Sequence, residues 1–413
     1  MRSPVRIAIT GLGMVTPFGL TAKQSWAGIC SGQSAVRWLP PEFGTHPAFQ
    51  KHPLFGAAVP WNTDESSRLV PFARQAAREA IAQSGLSSGD LQSAGCVFGT
   101  SKIEMSVFDT FVADFRSPDA FHQKNRAPEF WESTSPAGPA EALARDWKCG
   151  AAVIAPVAAC ATGLVSLLRA SELIQAGDCK IALAGSADAS LHPGLLSSYR
   201  RLGVQAHPGE NPAEACRPFD RNRTGFAVGE GAACLVMEEW EHACSRGAPI
   251  LAEWIGGRLG SDPSGITQVN SDGRTLTEMI QRLLRDHQLS PEDISCVSLH
   301  GTATRLNDAA EAAAMQQIFG QLRPFAFGLK GAIGHLMGAA GSVETAVSIL
   351  SLLHQKVPPT CNHETPDAPL AVRLLPSSMK AELKTILKVS LGFGGHVATA
   401  LVKQASMEDQ VIR

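Results

Sequence analysis

The chain has 413 residues, 44% of them apolar and 18% charged, with a formal net charge of −2. That balance belongs to a globular protein with a large interior, enough for two or three ordinary domains or one double-domain core. Near-neutral charge and a single tyrosine give no general case for nucleic-acid binding or an anionic membrane surface.

The N-terminal stretch MRSPVRIAITGLGMVTPFG reads as a strand, RIAIT, followed by a turn, and its short apolar run broken by glycines is no signal peptide. A cytoplasmic location is expected. GLGMVT at 11–16 lacks the third glycine of a dinucleotide-binding fingerprint. GLSSG at 85–89 has the letters of a nucleophile elbow but lies between a helix end and a strand, the reverse of the required order. Ten cysteines show no CxxC spacing, so most are expected to be small buried hydrophobes. From Cys149 to Leu168 no residue is charged, but Gly150, Pro156 and Gly163 interrupt the run, which reads as a buried strand and helix.

Strands and helices alternate, which predicts an α/β protein. The order of elements also repeats. PFARQAAREAIAQSG, LSSGDL and AGCVFGTS are echoed by LTEMIQRLLRDHQ, LSPEDI and SCVSLHGTAT. ACATGLVSLLRASEL is answered by MGAAGSVETAVSILS, and KIALAGSADAS with GEGAACLVMEE by KTILKVSLGFGG with HVATALVKQ. Two related halves are expected, 1–250 and 251–413, whose equivalent loops meet around a pseudo-twofold axis.

Four segments carry chemistry. VIAPVAA is expected to be a strand delivering Cys160 to a helix that begins with ATGLVSLL, stripes Leu164, Leu167, Leu168 and Ile174, and stops at Gly177. A thiol at a helix N-terminus is expected to favour thiolate. In LHGTATRLNDAAE a strand ends on His300, Thr302 and Thr304 offer hydroxyls, and Asp308 with Glu311 is expected to cap the next helix. In GLKGAIGHLMGAAG, glycines pack around His335, and Lys330 calls for a partner such as Glu344. LGFGGH carries Phe393 on a glycine loop whose N–H groups can point into a site. A cysteine served by two histidines suits acyl transfer through a thioester.

Taken in order, ITGLGMVTPFG, AACATG, RPFDRNRTGFAVGEGA, HGTATRLND, KGAIGHLMGAAG and GFGG span about residues 5–403. Together they resemble the elongating, malonyl-extending β-ketoacyl–acyl carrier protein synthases of the thiolase-like superfamily. The resemblance implies a five-layer αβαβα sandwich, a homodimer, an acyl carrier protein as partner, and no metal or nucleotide cofactor. It implies Cys160 as acyl acceptor and His300 with His335 as promoters of decarboxylation. Lys330 and Glu344 would organise the histidines, Thr302 and Thr304 would hold the pantetheine arm, and Phe393 would gate the site. With Cys160, its backbone N–H would form the oxyanion hole.

Some positions depart from the family pattern. His396 and Val397 follow GFGG where threonine and asparagine are common, Val389-Ser390-Leu391 stands for Asn-Ser-Phe, Arg305 follows Thr304, and Thr224 replaces an aspartate. The segment from Lys102 to Ser133, with Trp131, is unfamiliar where the acyl pocket and dimer contact are expected. The reaction class is unaffected, and a polyketide or polyene pathway stands beside fatty-acid synthesis. A thiolase would need a second cysteine in the C-terminal loop, and GFGGHVATALV has none. The remaining rival is a catalytically silent chain-length partner subunit. Arg200, Arg201, Arg217, Arg221 and Arg223 are candidates for a patch that docks an acidic carrier protein.

Overall fold

Two halves of one mixed sheet repeat the same strand order, the second with one strand more. The computed structural model describes residues 5–40, 43, 53–61, 67–115, 127–367 and 370–405. In the first half, Ile7–Val15 pairs antiparallel with Gly231–Glu239, which pairs antiparallel with Ile181–Asp188. Gly95–Gly99 and then Val153–Ile154 follow in parallel. In the second half, Ala252–Ser261 pairs antiparallel with His396–Lys403, which pairs antiparallel with Thr385–Gly392. Cys296–Ser298, Phe325–Phe327 and Arg373–Leu374 follow in parallel. A short antiparallel ladder, Ile7–Ile9 against Ala252–Trp254, joins the halves.

Two helices sit between the halves. Thr162–Ala176 and Ala340–His354 pack on each other and touch strands of both halves. Leu164, Leu167, Leu168 and Ile174 are all buried, as expected, but burial extends beyond that stripe, to Thr162–Val165 and Ser166 in the first helix and to every position from Ala340 to Leu352 in the second. Each such aliphatic side chain contributes about 1.5–3 kcal/mol of burial free energy. The helices cross where glycines let them: a Cβ on Gly163 would lie 2.4 Å from the Ser342 nitrogen, and one on Gly341 2.4 Å from the Leu164 nitrogen. Leu69–Ser84 and Gly138–Trp147 cover the outside of the first half, Arg274–Asp286 and Arg305–Phe319 that of the second. The result is the five-layer αβαβα sandwich.

Two local expectations change. The turn expected after RIAIT is absent, because the strand runs on to Val15. Gly11 and Gly13 keep it flat against Leu69–Ser84, where a Cβ on either would come within about 2 Å of the Ala80 or Ala76 carbonyl oxygen. The strand expected at VIAPVAA shrinks to Val153–Ile154, since Pro156 has no N–H for the ladder. Of the unfamiliar segment, residues 116–126 lie outside the described residues; the helices Met105–Phe115 and Ala127–Thr134 flank them. Among the described residues no helix is long and apolar enough to cross a membrane.

Candidate active site

Cys160 sits in a 3-10 turn, Ala159–Ala161, that runs directly into the central helix Thr162–Ala176. The turn is forced: Ala159 has φ +48°, a left-handed conformation that costs a non-glycine residue free energy. Thr162 holds it, its Oγ1 accepting from the Ala158 N–H at 2.9 Å and donating to the Ala159 carbonyl at 2.7 Å. The equivalent corner of the second half, Met337–Ala339, repeats the geometry with Met337 at φ +48°. His335 lies just before it.

The histidines meet edge to face, with ring centroids 5.5 Å apart. Both are buried, and burial first, then the Lys330 charge, pushes both imidazoles well below their ordinary pKa, so they are neutral. Their tautomers follow from their neighbours. The Met337 N–H donates to His335 Nδ1 at 3.3 Å, so the His335 proton is on Nε2. The Lys330 ammonium, a donor only, reaches His300 Nδ1 at 3.3 Å and also the His300 carbonyl, so His300 too is protonated at Nε2.

Lys330 is itself buried and pairs with Glu344 at 2.7 Å. The other oxygen of Glu344 pairs with Lys388 at 2.6 Å. Two ammonium groups thus share one carboxylate in the interior, and burial, followed by the like charge of Lys330 against the pull of Glu344, lowers the Lys388 pKa. Lys388 escapes the motif reading, although a lone cation within the apolar strand ILKVSL marks it.

Glu311 has a different job from the expected helix cap. It accepts from the His300 N–H at 2.7 Å and the Gly301 N–H at 2.6 Å. Asp308 accepts from the Phe219 N–H at 2.7 Å and the Ala303 N–H at 3.1 Å. The pair fixes the histidine loop to the helix Arg305–Phe319, and burial, then the Asp308 charge, lifts Glu311 to about 7.

The thiol also differs from expectation. Burial pushes Cys160 up to about 11, although Lys102, Lys330 and the Phe393 N–H, which donates to its sulfur, all act to lower it. Desolvation exceeds the gain from nearby positive charge, so the resting group is a thiol. The Phe393 loop lies on the cysteine turn: a Cβ on Gly392 would come within 3.2 Å of the Cys160 nitrogen. The N–H groups of Cys160 and Phe393 are therefore neighbours.

These parts surround one cavity of about 410 Å³ lined by Cys160, His300, His335, Thr302, Thr304 and Phe393. The Thr302 and Thr304 hydroxyls are 2.8 Å apart. Thr224, Arg305, His396 and Val397, the departures from the family pattern, line it as well. Lys330 and Glu344 stand behind the lining. Of the five arginines, Arg223 is no docking residue: it is buried, pairing with Asp367 at 2.6 Å. Arg217 is half-buried near Asp220, and Arg200, Arg201 and Arg221 are exposed. Among the described residues no group of three or more histidine, cysteine or carboxylate side chains is placed to hold a metal ion.

The family model for the β-ketoacyl synthase N-terminal domain matches residues 5–243, and that for the C-terminal domain matches residues 251–364. The 3-oxoacyl-[acyl-carrier-protein] synthase 2 of Synechocystis is 30% identical, over 97% of this chain and 98% of that protein. A ketosynthase solved in complex with a type II polyketide acyl-carrier protein and bound to the hexaketide superposes with a TM-score of 0.86. It is 28% identical and covers 98% of this chain and 100% of its own. The ishigamide ketosynthase/chain length factor gives a TM-score of 0.85 at 29% identity, with 98% and 100% covered. With matched domains across both halves, the chain belongs to the β-ketoacyl synthase family.

Proposed function

We propose that this chain is a competent condensing enzyme, not a silent partner: it extends an acyl group held on Cys160 by two carbons from a malonyl thioester. The observation that carries the reading is the pair of neutral, Nε2-protonated histidines beside a cysteine that lies under the Phe393 N–H, all on one cavity.

In the first half-reaction the Cys160 sulfur attacks the acyl thioester. The carrier's C–S bond breaks, and the cysteine proton ends on the departing pantetheine sulfur. The carbonyl oxygen accepts from the Cys160 and Phe393 N–H groups as it gains charge. In the second, the malonyl C–carboxylate bond breaks, carbon dioxide leaves, and the electron pair passes into an enolate. Its oxygen accepts from His300 and His335 Nε2. Neutral donors suit this step, because a carboxylate there would repel the developing charge. The enolate carbon then attacks the acyl-cysteine, forming the C–C bond and releasing the Cys160 thiolate, which takes up one proton. The sum is acyl thioester plus malonyl thioester plus a proton, giving β-ketoacyl thioester, free pantetheine thiol and carbon dioxide.

The chemistry uses no metal or nucleotide cofactor. Both substrates arrive on the phosphopantetheine of an acyl carrier protein, held by Thr302 and Thr304, with Phe393 as gate. The solved relative in complex with its carrier protein supports that partner. A homodimer is supported by the edge strand Val153–Ile154 and the segment after it, where Val153 and Val157 are 44% and 53% exposed. The names of the relatives support fatty-acid or polyketide synthesis as the setting. Incubating the protein with acyl- and malonyl-carrier protein tests the reading. A β-ketoacyl product with carbon dioxide supports it; no product alone, but product once a second homologous subunit is added and Cys160 is dispensable, makes this chain the silent subunit.

A further inference from the structure

Lys388 belongs to none of the motifs that carry the family resemblance, and it lies beyond residues 251–364, the part matched by the C-terminal domain model. Its strand, Thr385–Gly392, runs on into the Phe393 loop, and its side chain is fully buried among the buried apolar residues Ile386, Leu387, Val389 and Leu391 of the same strand. The ammonium donates to Glu344 Oε2 at 2.6 Å and to the Val389 carbonyl. Glu344 Oε1 accepts from Lys330 at 2.7 Å, and Lys330 in turn reaches His300 Nδ1 at 3.3 Å. A chain of direct contacts therefore joins Lys388 to the His300 ring, although Lys388 lies outside the lining of the cavity.

The arrangement holds a surplus charge. Lys330 and Glu344 alone make a neutral buried pair, and the second ammonium, with 0% of its side chain exposed, adds a desolvation cost that filling the strand position does not require. What the ammonium adds is geometry. A carboxylate is rigid and planar, so fixing Oε2 also fixes the place of Oε1. Lys330 then directs its three N–H groups at Glu344 Oε1, the His300 carbonyl and His300 Nδ1. Without Lys388, Glu344 is free to turn and to draw the Lys330 ammonium away from the ring.

The field acts in the same direction as the geometry. His300 faces the charges of Lys330 and Lys388 and the ring of His335, while Glu311 accepts from its backbone N–H. His335 faces Lys330, Lys388 and Lys102, the last of which lies 3.4 Å from Asp188. Cys160 shares the cavity with both rings, and Glu344 is the counter-charge to Lys330 and Lys388. Each lysine opposes an imidazolium, so removing one makes either ring easier to protonate.

We propose that Lys388 is a positioning residue for decarboxylation: by holding Oε2 of Glu344 it keeps the Lys330 ammonium on His300 Nδ1, and with it the His300 proton on Nε2, where the enolate oxygen is bound. The proposal rests on the two histidines as promoters of decarboxylation. It adds to them a residue that touches neither substrate nor cavity and acts through Glu344 and Lys330.

The test follows carbon dioxide release from malonyl-carrier protein between pH 4 and 8 in wild type, Lys388→Met, Lys388→Gln and His300→Ala. Lys388→Met leaves Lys330 and Glu344 as a one-to-one pair, so the fold is kept, and Lys388→Gln retains an N–H for Glu344 but no charge. In Lys388→Met, kcat is expected to fall about tenfold at pH 7 with KM unchanged. The acid limb of its profile is expected to move up by about one pH unit, because the histidines protonate more easily. Lys388→Gln is expected to recover part of the loss at pH 7, since its amide still orients Glu344, with the limb displaced as in Lys388→Met. Variants whose kcat matches wild type, or whose activity falls while the acid limb stays in place, overturn the proposal and leave Lys388 a purely structural charge. No carbon dioxide from wild type, or release undiminished in His300→Ala, overturns the histidine reading itself, and the proposal with it.

Discussion

The Met337 N–H donates to His335 Nδ1 at 3.3 Å, and that contact leaves Nε2 as the ring nitrogen that carries the proton. His300 reaches the same state by a different route, through Lys330. In the proposed reaction, two imidazoles with matched tautomers would offer two N–H donors to the enolate oxygen.

Roles divide accordingly. Cys160→Ala is expected to abolish condensation while malonyl decarboxylation persists, because the histidine pair is intact. His300→Ala or His335→Ala is expected to lower decarboxylation at least about a hundredfold, the scale of losing one oxyanion donor. Carbon dioxide release and β-ketoacyl product, measured in parallel, check both. Condensation surviving Cys160→Ala contradicts the assignment.

Glu344 holds two ammonium groups, at 2.7 and 2.6 Å. Removing it leaves both cations buried without a counter-charge, at a cost of about 3–5 kcal/mol. Glu344→Gln is therefore expected to be strongly destabilised in denaturant melts. Adding Lys388→Met to that variant is expected to recover part of the loss, since one uncompensated charge goes. A double variant less stable than the single contradicts this electrostatic account.

Thiol reactivity should follow pH steeply. With Cys160 pushed up to about 11, the thiolate fraction grows about tenfold per pH unit well below that value. Iodoacetamide alkylation of Cys160, followed by peptide mapping, is expected to climb in that way from pH 7 to 9 without a plateau. Saturation below pH 8 indicates a stabilised thiolate instead.

Glu311 makes stability fall with pH. Its folded-state value of about 7 lies above the ordinary 4.5, so the native state binds the proton more tightly than the unfolded chain. That contribution is full below pH 4.5 and is lost as pH rises through 7. Glu230, lifted to about 7 chiefly by burial, acts in the same sense. Melting temperature is expected to decline from pH 5 to 7.5, less steeply in Glu311→Gln. An equal slope in the variant contradicts the role given to Glu311.

Much of the site was legible because its residues lie in compact motifs: Cys160, His300, His335 and Phe393 each sit on a small-residue turn between regular elements. The duplicated order of the sheet was legible too, since each half repeats its helix, turn and strand signatures. What escaped is long-range. Lys102 and Asp188 are 86 positions apart, Lys388 and Glu344 44 apart, and no local pattern pairs them. Helix position is a local signal and points Cys160 towards thiolate, whereas the desolvation that keeps it a thiol comes from the whole fold. Arg223 differs from the docking expectation for the same reason, its partner Asp367 being distant in sequence.

The most direct test is intact-protein mass spectrometry after exposure to acyl-carrier-protein thioesters, on wild type and Cys160→Ala. The account predicts one acyl adduct per chain that is absent from Cys160→Ala and is discharged as β-ketoacyl product when malonyl-carrier protein is added. An adduct that persists in Cys160→Ala, or none with any acyl group, would contradict it.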